Sequence, residues 1–136
     1  MMPERKPPCD PEEWMNRARS NLKRAKADAR LEGVYLEDLC FDAHQAVEKA
    51  VKALLIHRSV EFPYVHDLAR LMTLLEESGL DIPENIKYAE TLTPFAVMTR
   101  YPAVFEPVTK SQYEEAVNLA ESFFDWAEAI ILKDNK

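Results

Sequence analysis

Glycine is almost absent from this chain: only Gly33 and Gly79 occur in 136 residues. Glycine-rich phosphate-binding loops, dinucleotide-binding fingerprints and most two-residue hairpin turns require glycine, because they need positive φ angles or close approach of the backbone. The sequence therefore argues against those architectures. Hydrophobic residues still make up 47% of the chain, which is enough for one compact core. We expect a single domain built from helices.

Apolar residues recur at helical spacing in five segments. The first segment begins at the capping signal Asp10-Pro11 and is predicted to end at Gly33, because glycine adopts the left-handed cap freely. Asp67 or His66 can cap the start of the third helix, Gly79 its end, and the pattern from Thr109 to Gln112 can cap the last helix. The four helices after the first are predicted over residues 35–58, 67–79, 82–100 and 109–132.

Proline interrupts the fourth predicted helix at Pro94. It lacks an amide donor and collides with the carbonyl four residues earlier, so we expect a kink or break there. Long helices joined by short links favour an all-α, up-and-down bundle of about five helices. We assign that bundle to residues 10–133 and a flexible tail to residues 1–9.

The charge distribution offers two interpretations. A formal net charge of -7 argues against a protein that coats nucleic acid nonspecifically. The first predicted helix nevertheless carries a basic stripe, which is either a solvated face that balances acidic neighbours or a landing surface for an anion. Its members are Arg19, Lys23, Lys26 and Arg30.

Cysteine, histidine and hydropathy exclude several other classes. Cys9 and Cys40 are too few for a disulfide framework, and Cys40 lies on an apolar helix face typical of a core position. His44 and Glu48, four residues apart, supply only two metal ligands, so no metal and no cofactor are predicted. No apolar run is long enough to span a membrane and no secretory signal is visible, so we expect a cytoplasmic protein.

Two polar clusters remain as candidate sites. On the second helix, Lys49 and Lys52 are three residues apart, so both ammonium groups can reach one anion, with Gln45 beside them. Equally, Lys52 can form a structural ion pair with Glu48. At the end of the fourth helix, Arg100 either complements the helix dipole or acts with Tyr101 on a phosphate and a base.

Three short motifs occur in order along the chain: Ala43 to Leu55, with the sequence AHQAVEKAVKALL, then His66-Asp67-Leu68, then Arg100-Tyr101-Pro102. Together they resemble the HEPN domain (higher eukaryotes and prokaryotes nucleotide-binding) over about residues 10–132. The resemblance implies a helical bundle that commonly homodimerises. It also implies a minimal nucleotidyltransferase partner in a toxin–antitoxin-like pair.

The resemblance further implies an activity, because many HEPN proteins are metal-independent ribonucleases. Their motif places histidine after arginine with four to six intervening residues, but here Phe105, Glu106 and Pro107 occupy those positions. The first hypothesis is therefore a binding module for a nucleotide or RNA phosphate that uses Arg100 and Tyr101 with Gln45, Lys49 and Lys52.

The alternative is a ribonuclease toxin in which Arg100 acts with His66 or Tyr101. Cleavage through the 2′-hydroxyl needs proton transfer, which arginine cannot supply because it stays protonated. A third hypothesis is a purely structural partner in which Arg100 and Lys49 form only ion pairs.

Overall fold

The computed structural model describes residues 4–27, 32–98 and 106–134, and within these ranges all regular secondary structure is helical. Four helices have more than two turns, and a segmented stretch with two short α-helices lies between the third and the last. In chain order the elements are α1 (Pro11–Ala25), α2 (Leu36–His57), α3 (Leu68–Glu77), α4 (Glu84–Lys87), a 3₁₀ helix (Tyr88–Leu92), α5 (Phe95–Met98) and α6 (Lys110–Asp134). The predicted all-α class is confirmed.

Three of the four long helices, α1, α3 and α6, begin at capping residues that the sequence predicts. Asp10 accepts a hydrogen bond from the Glu12 amide at 2.9 Å, and Asp67 accepts one from the Ala69 amide at 3.1 Å. These side chains pair amide groups that have no partner within the first turn. At α6, the predicted capping pattern forms in both directions: Gln112 N donates to Thr109 Oγ1 at 3.1 Å, and Thr109 N donates to Gln112 Oε1 at 2.9 Å.

The first helix is shorter than predicted. We expected it to reach Gly33, but α1 ends at Ala25, and Ala29 lies outside the described residues. The carbonyl of Ala25, which a longer helix would use in its own hydrogen-bond ladder, accepts a hydrogen bond from the Tyr113 hydroxyl of α6. A tertiary hydrogen bond to α6 therefore replaces the hydrogen bond that the next turn of α1 would have made to the Ala25 carbonyl. Gly33 does adopt a left-handed φ of 76°, but in a turn beyond the helix.

The fourth predicted helix, residues 82–100, is not continuous. The chain forms α4, the 3₁₀ helix and a turn at Thr93-Pro94 before α5 begins. The carbonyl of Glu90, which Pro94 cannot donate to, accepts instead from the Thr93 amide at 3.2 Å and from Thr93 Oγ1 at 3.0 Å. The expected break at Pro94 is confirmed. The prediction of an uninterrupted helix before Pro94 was wrong.

The second helix is the centre of the bundle. It packs against α1, α6, α3 and α5, and its small residues allow close approach of the neighbouring backbones. Four alanines on α2 are completely buried: Ala43, Ala46, Ala50 and Ala53.

The segment before α1 contacts that helix. The Lys6 amide donates to Glu13 Oε1 at 2.8 Å, and Trp14 Nε1 donates to the Pro8 carbonyl at 2.7 Å. These two hydrogen bonds hold the segment before α1 against the first turn of that helix. None of the described helices combines the length and the hydrophobicity that crossing a lipid bilayer requires.

Candidate functional site

A stripe of buried polar side chains runs along α2. Each is less than one tenth exposed, although such residues normally stay at the surface unless they are paired. Among the described residues, every fully buried side-chain nitrogen or oxygen has a hydrogen-bond partner. These buried polar side chains therefore belong to hydrogen-bond networks. Its members are Asp42, His44, Glu48 and Lys52 on α2, together with Glu13 and Asn21 on α1.

Glu48 is the centre of the first network. One carboxylate oxygen accepts a hydrogen bond from Lys52 Nζ at 2.9 Å, and the other lies 2.8 Å from His66 Nδ1. Burial alone would raise the pKa of the Glu48 carboxyl, but hydrogen bonds from His66 and Lys52 outweigh burial and hold that pKa below its ordinary value. Glu48 is therefore ionised at neutral pH.

His66 presents its imidazole at the surface while its Nδ1 atom is bound to Glu48. An ionised carboxylate only accepts hydrogen bonds, so Nδ1 carries a proton. The side chain is 56% exposed. The backbone carbonyl of His66 also accepts from Nε2 of the buried His44 at 3.1 Å. The loop before α3 is therefore attached to α2 at two points.

Lys52 is directed into the bundle. Its ammonium group lies 5.7 Å from the Trp14 ring centroid and 5.8 Å from that of Phe62, in addition to its bond with Glu48. Two aromatic rings and one carboxylate surround a side chain that is only 8% exposed. The structural ion pair between Lys52 and Glu48, one of the two alternatives from the sequence, is present.

Lys49 belongs to a second network on the side of α2 that faces α1. Its Nζ donates to Asn21 Oδ1 at 2.6 Å, and Asn21 Nδ2 donates to Asp42 Oδ1 at 3.0 Å. Arg24 Nε lies 3.5 Å from the second oxygen of Asp42. Lys49 and Lys52 therefore bond to different partners, Asn21 and Glu48 respectively. Gln45 lies beside His44, with its amide oxygen 3.2 Å from His44 Nδ1.

Burial and nearby charges of both signs act on Lys49. Burial is the largest cause that lowers the pKa of its ammonium group, and the charge of Arg17 lowers it further. The charges of Glu48 and Asp42 raise that pKa, and Arg24 has the smallest effect, which lowers it. The hydrogen-bond acceptor of Lys49 is a neutral amide. Its two arginine neighbours remain largely exposed, at 54% for Arg17 and 71% for Arg24. We name Arg17, Arg24 and Lys49 the cation cluster.

Two of the four residues of the basic stripe on the first helix form ion pairs with acidic side chains. Arg19 forms an ion pair with Glu128, and Lys26 forms one with Glu121, both on α6. These contacts favour the interpretation of a helix face that balances acidic neighbours. Arg30 lies outside the described residues. Asn21 was not predicted as a site residue, because a lone asparagine within a helix carries no distinctive sequence signal.

Arg100 and Tyr101 also lie outside the described residues. Of the remaining predicted site residues, Lys52 and His66 join Glu48 in the first network, Lys49 joins the second network, and Gln45 contacts His44.

The described residues contain no group of three or more histidine, cysteine or acidic side chains arranged to hold a metal ion. Cys40 is completely buried, and burial raises the pKa of its thiol to about 12. The thiolate is the reactive form of cysteine, so this side chain is unreactive at neutral pH. Cys40 is a core residue, as its position in the helical pattern predicted.

Acidification is expected to destabilise the fold, beginning near pH 6.5. Burial lowers the pKa of His44 below its ordinary value, and the pKa of Glu48 is also low in the folded state. Because the unfolded chain then binds protons first, stability is complete above the unfolded pKa of about 6.5 for His44 and falls with decreasing pH.

Urea denaturation between about pH 7 and pH 5 measures this slope, because the ordinary histidine pKa lies in that interval. The slope is expected to be smaller in His44→Gln than in the wild type, with His57→Gln, at the C-terminal end of α2, as the matched control. A wild-type stability that does not change across this interval would contradict the assignment.

The fold and site together define a class: a small α-helical bundle whose central helix carries buried polar networks. The HEPN domain family matches residues 11–130. The chain therefore belongs to the HEPN family, as the three sequence motifs indicated.

Two solved structures are similar over most of their length. TT1696 from Thermus thermophilus has a TM-score of 0.76 and 32% sequence identity, covering 88% of this chain and 96% of that chain. ST0689, described as an archaeal HEPN homologue, has a TM-score of 0.71 and 28% identity, covering 90% of this chain and 98% of that chain. No curated protein matches this sequence significantly.

Proposed function

We propose that this HEPN bundle is a binding module for the phosphate group of a nucleotide or RNA, with the cation cluster as its contact surface. The observation that carries the proposal is the placement of Lys49. Its half-buried ammonium group bonds to a neutral amide and lies within the field of two arginines. A bound phosphate supplies the negative charge that the immediate partner of Lys49 lacks.

The local charge balance supports an anionic ligand. Arg17 contacts Glu13 at 2.7 Å and Arg24 lies 3.5 Å from Asp42, so two carboxylates face three cations. Both arginine side chains are more than half exposed, and guanidinium groups bind phosphate oxygens in a bidentate manner. The charge of Glu48 also acts on Lys49, but the Glu48 carboxylate is bonded to Lys52 and His66, and the hydrogen-bond acceptor of Lys49 is the neutral Asn21 amide.

Lys49→Gln is expected to weaken phosphate binding about 10- to 150-fold, because a hydrogen bond to a charged group contributes about 1.5–3 kcal/mol. Titration with inorganic phosphate, AMP and a short RNA, followed by NMR shifts, measures the affinity. Lys87→Gln is the matched control, since Lys87 pairs with Glu76 outside the cation cluster. Equal affinity in wild type and Lys49→Gln would contradict the proposal.

Arg100 and Tyr101 enter the proposal through the motif Arg100-Tyr101-Pro102, which forms part of the resemblance to the family. A guanidinium and an aromatic ring suit a phosphate and a base, respectively. Arg100→Ala is expected to weaken RNA binding further in the Lys49→Gln background. An absence of shifts at Arg100 and Tyr101 under saturating nucleotide would remove them from the site.

We also propose that the protein homodimerises and pairs with a minimal nucleotidyltransferase, in a toxin–antitoxin-like arrangement. Family membership supports both proposals. Sedimentation at micromolar concentration tests the first, and a monomer there would exclude a dimer. Co-expression with the nucleotidyltransferase encoded beside the gene, if the genome carries one, tests the second by co-purification.

A metal-independent ribonuclease is the second candidate function. The observation that favours it is the exposed imidazole of His66, which supplies a proton carrier despite the missing histidine after Arg100. Incubation of the protein with RNA in the presence of a chelator tests this activity. Cleavage by the wild type that is lost in Arg100→Ala would favour the ribonuclease hypothesis over that of a binding module.

A further inference from the structure

The most chemically organised feature of the described residues is the junction between α2 and the loop before α3. There, a carboxylate that is only 4% exposed holds an imidazole that is 56% exposed. The other carboxylate oxygen is bound to Lys52, so Glu48 is fixed on both sides. The Glu48 carboxylate is thus buried and fixed in place, whereas the His66 imidazole that it holds is accessible from solvent.

We propose that Glu48 and His66 form a carboxylate–imidazole dyad in which His66 is the proton-transfer group for metal-independent cleavage of an RNA phosphodiester. Glu48 is the positioning residue. The proposal rests on the second candidate function above, and it assigns proton transfer to His66 rather than to a residue that follows Arg100 in the sequence.

The geometry gives each member a definite role. Because Glu48 is ionised, it keeps the proton of neutral His66 on Nδ1 and leaves the Nε2 lone pair free to act as a base. The same carboxylate stabilises the imidazolium that forms when Nε2 takes up a proton. The hydrogen bond from His44 to the His66 carbonyl fixes the backbone that carries the ring.

The reaction needs no other reagent. Nε2 of His66 accepts the proton of the 2′-hydroxyl while O2′ forms a bond to phosphorus. The bond from phosphorus to O5′ breaks, and the departing oxygen takes the proton from the imidazolium. The products are a 2′,3′-cyclic phosphate and a 5′-hydroxyl, and His66 returns to its neutral form.

The cation cluster explains why the substrate is a phosphodiester. Lys49 follows Glu48 directly in α2, and the Glu48 charge acts on the Lys49 ammonium group, so the two networks share one stretch of helix. Lys49 turns towards α1 and Glu48 towards the loop before α3, so we expect the cluster to hold one phosphate of an RNA strand while a neighbouring phosphodiester reaches the dyad.

Chemical rescue tests the role of His66. His66→Gly is expected to lower the rate of cleavage about 10²–10⁴-fold, the usual contribution of general acid–base catalysis, and added imidazole should restore part of it. His57→Gly, at the C-terminal end of α2, is the matched control and should keep full activity with no response to imidazole. Loss of activity without rescue would overturn the proton-transfer role.

Glu48→Gln tests the positioning role. We expect kcat to fall about tenfold or more with little change in KM, and neutral His66 to populate both tautomers, seen in the ¹⁵N shifts of its ring. An unchanged tautomer and kcat would overturn the role of Glu48. Melting temperatures identify variants that merely unfold.

The outcomes separate this inference from the proposed functions. If wild type cleaves RNA and His66→Gly cleaves equally well, the dyad is wrong and the ribonuclease remains. If wild type does not cleave RNA, the dyad and the ribonuclease both fail, while phosphate binding by Lys49 is decided by its own titration.

Discussion

Replacement of Glu48 with leucine is expected to lower the free energy of unfolding by about 3–5 kcal/mol, because it leaves the Lys52 ammonium buried without its carboxylate. The aromatic rings of Trp14 and Phe62 remain near Lys52, but they do not replace an ionic partner. For a domain whose total stability is about 5–15 kcal/mol, this loss is large. Urea denaturation at neutral pH measures it.

A double variant distinguishes the pair from the packing around it. Glu48→Leu combined with Lys52→Met removes both charges and fills the space with apolar atoms, so most of the lost stability should return. Lys87→Met is the matched surface control and should change stability by less than about 0.5 kcal/mol. If the double variant is as unstable as the sum of the two single variants, the ion pair is not the cause.

Leu54→Ala is expected to lower the free energy of unfolding by about 2–5 kcal/mol, because it removes buried methyl groups and leaves a cavity. Leu54 is completely buried on α2, the helix that contacts most of the bundle. The matched control is Leu132→Ala on α6, where the leucine is 56% exposed.

Thermal or urea denaturation compares these two variants. The control should stay within about 0.5 kcal/mol of wild type, as surface substitutions usually do. Equal effects at Leu54 and Leu132 would contradict the placement of α2 at the centre of the core.

Local signals in the sequence predicted most of the secondary structure. Asp10, Asp67 and the pair Thr109 and Gln112 cap helices where expected, since capping depends on residues within one turn of each other. The break at Pro94 follows from the chemistry of proline alone. The end of α1 did not follow from local signals, because the Ala25 carbonyl bonds to Tyr113 on a distant helix.

The candidate site was predictable only in its parts. The spacing of Glu48 and Lys52 indicated an ion pair, since residues four apart share a helix face. The contact between Glu48 and His66 joins two elements separated by a loop, and no local spacing encodes it. Lys49 was expected to act with Lys52, but its partners are residues of α1.

The sequence by itself determined the helical class, the capped helix starts and the HEPN motifs, because these depend on residue types at short, regular spacing. Only the tertiary structure decided which side of each helix is buried against which neighbour. That choice separates Lys49 from Lys52 and brings His66 to Glu48, since hydrogen bonds between elements depend on packing in three dimensions.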